Sequence, residues 1–361
     1  MDAGGGDGGA LGGLNPQQMV KAMGVGWNLG NTFDANPNET SWGNPETTQA
    51  MVQAIQAAGF NTMRIPVTWT DHIGAGPAYT IDPAWMAKVE QVATWTNQAG
   101  MYAIVNIHHD SDGQWVLFND PGSTTLSASA QAQINTEITA VWTQIAMAFQ
   151  SYGDHLIFEC FNEPHGDVNG YGGGDAASRA VLNTYLASCM SAIRGTGGNN
   201  TTRYVMVQGL GAAAAQVSIQ SVVIPKTDPY TLFSVHNYFP VSFALPPPST
   251  TTWGTASDYT DMSNAVQQVV SWLPPATGIV LGEWGSVQAD DLNSRVAHAA
   301  AFAQDITVGG MAPVWWDDGG DFVLLNRNSN PPSWQYPTIL SAIMSGYKTG
   351  AATGATWAQH P

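Results

Sequence analysis

The chain has 361 residues, 44% hydrophobic and only 10% charged, with 14 Trp, 11 Tyr and 11 Phe. That supplies a large core and rules out a salt-bridge-laced surface, since an ordinary soluble domain is about 25% charged. Ten Lys and Arg stand against 27 Asp and Glu, a formal charge of -17 with pI near 4.5, which argues against nucleic acid and anionic membrane as partners and favours neutral ones.

Residues 1 to 13 are Gly-rich and read as a flexible tail. The opening Met1-Asp2-Ala3-Gly4 has neither a basic n-region nor an apolar core, so no signal peptide is expected in it. No uninterrupted apolar run approaches the roughly 18 residues of a membrane span. From there short apolar runs alternate with helical patterns. The runs are Gly24–Trp27, Thr62–Pro66, Tyr102–Ile107, Leu156–Phe161, Tyr204–Val207, Thr231–Val235, Gly278–Leu281 and Met311–Trp315, each of a length for a buried strand. Between and after them the pattern predicts helices over Thr47–Ala58, Pro83–Gln98, Ala128–Tyr152, Ala176–Ile193, Asp258–Trp272, Ser294–Val308 and Pro337–Tyr347. Pro83 suits a first helical turn behind an Asp82 cap, and Gly59 and Gly100 suit helix ends. The Ala/Gly-rich Gly209–Ala215 predicts only a short or irregular helix after the fifth run. Eight such units indicate an α/β chain with a parallel sheet. A doubly wound sheet would place a Gly-rich phosphate loop after an early strand, and none occurs there. Residues 14 to 361 are therefore expected to form one catalytic (β/α)8 TIM barrel.

Active sites of such barrels lie at the C-terminal strand ends. Those ends carry Asn28 and Asn31, Arg64, His108-His109-Asp110, Asn162-Glu163-Pro164, His236-Asn237-Tyr238, Glu283-Trp284-Gly285 and Trp315-Trp316-Asp317-Asp318. Glu163 and Glu283 end the fourth and seventh runs, on facing walls of an eight-stranded barrel. Two carboxylates flanking one bond suit glycoside hydrolysis, by retention at about 5–5.5 Å separation or inversion at about 6.5–9.5 Å; spacing in the chain leaves that choice open.

Gly26-Trp27-Asn28-Leu29-Gly30-Asn31-Thr32-Phe33-Asp34, Met63-Arg64-Ile65-Pro66, Asn106-Ile107-His108-His109, Phe161-Asn162-Glu163-Pro164, His236-Asn237-Tyr238 and Gly282-Glu283-Trp284-Gly285 together resemble glycoside hydrolase family 5, the large cellulase family of clan A. The opening stretch with Ser41-Trp42-Gly43-Asn44-Pro45 looks most like its subfamily 4 of endoglucanases, lichenases and xyloglucanases. One position departs: members with this opening often carry Arg after Asn-Glu-Pro, and here it is His165. The resemblance implies retaining double displacement, with Glu283 the nucleophile and Glu163 the acid and then the base. It implies support from Arg64 near Glu283, from Tyr238 donating to Glu283, from Asn162 at the sugar 2-hydroxyl, and from His108 and His236. It implies Trp316 as a platform under the sugar, with Trp315 turned outward. Asn28 and His109 are candidate substrate contacts. Alternation along a strand would turn only one of His108 and His109 inward, and the resemblance favours His108. Trp42, Trp69, Trp115 and Trp253 fall in candidate loops and could line further subsites, since sugar C–H faces stack on aromatic rings.

No cofactor or metal is expected. His108-His109-Asp110 lacks a completing ligand set for zinc, and Asp317-Asp318-Gly319-Gly320-Asp321 does not match the EF-hand calcium loop. Cys160 and Cys189 are either one bridge or two buried thiols, the thiols being favoured. Sequons at Asn38 and Asn199 and the low charge favour a secreted enzyme. The function expected is an endo-β-1,4-glucanase acting as a monomer on β-glucan. Xyloglucanase, lichenase or mannanase are rivals within the same chemistry, and a non-catalytic carbohydrate-binding barrel and a metal-dependent hydrolase are rivals outside it.

Overall fold

The computed structural model describes residues 13–120, 123–166, 170–223 and 228–353. The Gly-rich tail expected at the N-terminus lies outside them except for Gly13. The elements are α1 (Pro16–Met23), β1 (Gly26–Leu29), α2 (Gln49–Ala57), β2 (Thr62–Ile65), α3 (Pro83–Gln98), β3 (Tyr102–Asn106), α4 (Ala128–Ala148), β4 (Leu156–Glu159), α5 (Ala176–Gly195), β5 (Val205–Ala213), α6 (Gln216–Gln220), β6 (Thr231–His236), α7 (Val241–Ala244), α8 (Ala256–Ser271), β7 (Gly278–Trp284), α9 (Leu292–Val308), β8 (Met311–Asp317), β9 (Leu325–Asn326), β10 (Ser333–Trp334) and α10 (Pro337–Thr353). Strands β1 to β8 close a barrel in sequence order, and β9 and β10 form a separate two-stranded sheet. Strand β1 runs parallel to both β2 and β8. The expected (β/α)8 barrel is the observed architecture.

Chain contacts divide this barrel into two units, one built on Ile65–Ser234 and the other on Gln17–Arg64 with Val235–Pro361. In the first, β3, β4 and β5 pair in parallel, Asn106 beside Glu159 and Glu159 beside Met206. Helices α4 and α5 pack on each other and bury Ile138, Trp142, Ile145, Leu182 and Ile193. Ser127 and Asp175 cap them by accepting from the Ala130 and Ser178 amides, a contribution of about 1 kcal/mol each. Strand β5 runs past the expected Val207 through the Ala/Gly-rich stretch, and only the five-residue α6 follows. A side chain at Gly209 would strike the hydroxyl and backbone of Ser218 in α6. Small residues there let α6 fold back on its own strand, which lengthened the strand at the expense of the helix.

In the second unit, α10 extends six residues beyond the expected end at Tyr347. Glycine is a poor helix former, yet a Cβ on Gly346 would meet the Ala300 carbonyl and one on Gly350 the Gln304 carbonyl. They allow α10 to lie close against α9, and that packing outweighs the propensity cost. Strand β1 begins two residues later than the run suggested, because Gly24 has φ +61° after α1. Helix α8 starts at a capping box between Thr255 and Asp258.

Cys160 and Cys189 form a disulfide from the end of β4 to α5, with Cα atoms 6.1 Å apart. The favoured reading of two thiols is corrected. Strand and helix pack in one core, both cysteines wholly buried, and that brings the sulfurs together. The closed loop spans 29 residues, for which chain entropy predicts about 3–4 kcal/mol of stabilisation. Replacing both cysteines by Ala should lower the urea-unfolding free energy by that amount and remove the effect of reductant. A loss below about 1 kcal/mol would contradict the entropic estimate.

Candidate active site

In the second unit Glu283 is the penultimate residue of β7, 5% exposed. The register between β7 and β8 shifts between Leu281 and Trp284, and such an irregularity re-aims the side chain it contains. The Glu283 carboxylate meets three groups. Arg64 Nη1 donates to Oε1 at 2.8 Å, the Tyr238 hydroxyl donates to Oε2 at 2.9 Å, and His236 Nδ1 lies 3.6 Å from Oε2. Arg64 is fully buried on β2 and also donates to Asn28 Oδ1 at 3.0 Å. Asn28 Nδ2 in turn donates to the carbonyl of Gly282 at 2.8 Å. Asn28 is wholly buried, so it is corrected from a substrate contact to a brace that joins Arg64 to the backbone before Glu283.

Trp316 packs with Val287 and Phe322, and Tyr238 and Leu245 lean on that cluster. A Cβ on Gly30 would sit 2.8 Å from the Trp316 ring, so the glycine of the opening motif makes room for it. Trp315 is fully buried, edge-on to Trp284, which meets Phe302 of α9; it points outward as expected. Trp253 is also buried, edge-on to His298 and Tyr259. It is corrected from a subsite candidate to loop packing. Trp42 is 45% exposed.

In the first unit Asn162 is buried and Glu163 half-buried just beyond β4. Below them, Asn106 Nδ2 donates to Glu159 Oε2 at 3.0 Å and Ser234 Oγ to Oε1 at 2.7 Å. Asn106 Nδ2 also lies 3.2 Å from His108 Nδ1. An amide nitrogen can only donate, so Nδ1 accepts and His108 carries its proton on Nε2. The alternation argument fails at His108-His109, whose rings touch edge to face at 4.4 Å. β3 ends at Asn106 and a short 3-10 turn begins at His109, so the period of two no longer applies. Trp69 is fully buried and donates Nε1–H to the Asn106 carbonyl at 2.9 Å; it too is corrected from subsite to scaffold. Trp115 is half-buried and donates to Asp110 Oδ1 at 2.8 Å.

The Asp110 carboxylate also accepts from the Trp69 amide and the Thr70 hydroxyl. Burial pushes its carboxyl up to about 6 against those hydrogen bonds. It ties two loops together. The same holds for the acidic stretch after β8. Asp317 accepts from Arg327, Trp27 Nε1 and the Leu324 and Leu325 amides, and Asp318 from the Gly320 and Phe322 amides. Arg327 donates further to the Gly30 carbonyl and Thr32 hydroxyl, which holds the opening motif in place. Sequence reasoning did not find Arg327; a lone Arg in the connection between β9 and β10 carries no periodic signal.

His165 was noted only as a departure. Its Nδ1–H donates to the Glu163 carbonyl at 2.6 Å, and its Nε2 lies 3.8 Å from Asp112 Oδ1. Asp112 was missed altogether. Its Oδ2 lies 2.7 Å from His109 Nδ1.

A closed parallel barrel with glutamates at the ends of β4 and β7, one of them paired with a buried arginine, defines a glycoside hydrolase. The sequence profile of "Cellulase (glycosyl hydrolase family 5)" matches residues 28–321. Endoglucanase B of Clostridium cellulovorans is 40% identical over 346 residues, covering 92% of this chain and 76% of that one. A broad specificity endoglucanase of subfamily 4 from Clostridium acetobutylicum superposes with TM-score 0.86 at 40% identity, over 91% of this chain and 99% of that one. Another from Ruminococcus champanellensis, with bound cellotriose, gives TM-score 0.86 at 33% identity over 93% of this chain and 100% of that one. The chain belongs to glycosyl hydrolase family 5.

Proposed function

We propose that this enzyme is an endo-β-1,4-glucanase that cleaves internal bonds of β-glucan by retaining double displacement. The observation that carries this reading is the setting of Glu283: a buried carboxylate with Arg64 on one oxygen and the Tyr238 hydroxyl on the other. A cation at 2.8 Å favours the ionised form a nucleophile needs. Glu283 attacks the anomeric carbon while Glu163 gives its proton to the departing glycosidic oxygen. Glu163 then takes a proton from water as that water attacks the same carbon and frees Glu283. Asn162 binds the 2-hydroxyl, where a hydrogen bond strengthens in the transition state, and the Trp316 ring carries the apolar face of the sugar. His108 and His236 position sugar hydroxyls.

The bound cellotriose in the Ruminococcus champanellensis relative supports a β-glucan chain as ligand. Secretion is part of the same reading and is supported by the Cys160–Cys189 disulfide, because disulfides persist in oxidising compartments. The enzyme is taken to act as a monomer. The name "broad specificity endoglucanase" carried by the Clostridium acetobutylicum relative favours a second reading, in which xyloglucan and mixed-linkage glucan are cut alongside cellulose. The test is viscometry on carboxymethyl-cellulose, mixed-linkage β-glucan, xyloglucan and mannan, with and without chelator. Rapid viscosity loss on a glucan, unchanged by chelator, is the expected result. Release of small sugars without viscosity loss would overturn the endo mode, and preference for mannan would overturn the substrate.

A further inference from the structure

We propose that His165 is a positioning residue for the acid/base glutamate; this rests on the assignment of Glu163 given above. The Glu163 carbonyl can only accept, so the 2.6 Å contact fixes a proton on His165 Nδ1. That orientation turns Nε2 toward Asp112 Oδ1, 3.8 Å away, while Asp112 Oδ2 meets His109 Nδ1 at 2.7 Å. One carboxylate thus lies between two imidazoles, and the second imidazole holds the peptide of the glutamate itself. The His165 ring also rests on Tyr171, centroids 4.4 Å apart, which restricts its rotation.

The reason such a clamp matters lies in the backbone. Glu163 is beyond the end of β4, and the ladder bond that reaches toward it is made by the Cys160 amide to the Met206 carbonyl. Pro164 O accepts from the Gly211 amide of β5 at 2.7 Å, and Glu163 O accepts from His165. Together they fix the two peptide planes that follow the glutamate, and with them the direction in which its side chain leaves the backbone. Gly166 then passes so close to the neighbouring loop that a Cβ would lie 3.0 Å from Asn119 Oδ1, so the segment has little room to relax elsewhere. Loss of the His165 donor removes the bond that the Glu163 carbonyl accepts from the ring, which lets the turn after the glutamate shift and moves the proton donor off line.

The experiment compares two substrates, cellotetraose and 2,4-dinitrophenyl β-cellobioside, whose leaving group needs little protonation. His165→Ala should lower kcat/KM on cellotetraose about 10- to 100-fold, the order expected for an ångström-scale misplacement of a catalytic group, with the loss in kcat. The activated substrate should change less than about threefold. His165→Asn places an amide N–H near the position of Nδ1 and should restore most of the activity. His165→Gln keeps the bulk but carries its donor further out, and should behave like His165→Ala; it serves as the readout if the alanine variant fails to fold. Equal losses on both substrates, no loss on either, or failure of Asn to do better than Gln would overturn the proposal. Glu163→Ala is run alongside: if it shows no difference between the substrates, the acid/base assignment itself has failed, whatever the His165 variants do.

Discussion

Glu283→Gln is expected to lower turnover of every glucan by about 10⁴-fold or more, the order seen when a covalent nucleophile is removed. The change keeps the shape of the side chain and an acceptor for Tyr238, so oligosaccharide binding should persist. It removes the charge that meets Arg64 inside the barrel. Arg64 keeps Asn28 Oδ1 as a neighbour, but breaking a buried ion pair costs about 3–5 kcal/mol. The variant should therefore melt below the wild type while remaining folded and able to bind cellotriose. Calorimetric binding and initial rates on the same preparation check both parts. Turnover within tenfold of wild type would remove Glu283 from the nucleophile's role.

Glu163→Ala should show a divided loss. On natural β-glucan the leaving group is a sugar hydroxyl, and protonation of such a group by a positioned acid is worth about 10²–10⁴-fold. On an aryl cellobioside with an acidic phenol the first step needs little help and should be nearly spared. The second step still needs a base, so the glycosyl-enzyme should accumulate and appear as a burst of phenol. Steady-state rates on both substrates, with rapid-mixing traces on the aryl one, are the measurement. An equal loss of kcat/KM on both, which reports the first step alone, would show that Glu163 does not act as the acid.

The candidate residues of chemistry were legible because barrel geometry concentrates such groups. Apolar runs of strand length place the reader at the C-terminal end of each strand, and a chain only 10% charged makes Arg64, Glu163 and Glu283 conspicuous there. What failed were arguments that assumed regular structure beyond the strand. Alternation put His108 and His109 on opposite faces, but the strand had ended and the turn brought the rings together. Composition alone could not separate aromatic rings that serve the ligand from those that serve the core. Trp69 and Trp253 fell in loops by pattern and proved to be buried.

Local preference and periodicity determined the number of units, their α/β alternation and which residues fall at the strand ends, since these depend on near neighbours in the chain. The tertiary structure decided what depends on residues far apart. The closeness of Gly346 and Gly350 to α9 carried α10 beyond the expected end at Tyr347. Cys160 and Cys189 were brought into bonding range. Arg327, nearly 300 positions from Gly30 in sequence, was given the opening motif to hold. Asp112 was set between His109 and His165. Burial and hydrogen bonding across such separations are settled by packing the whole chain, and no local pattern encodes them.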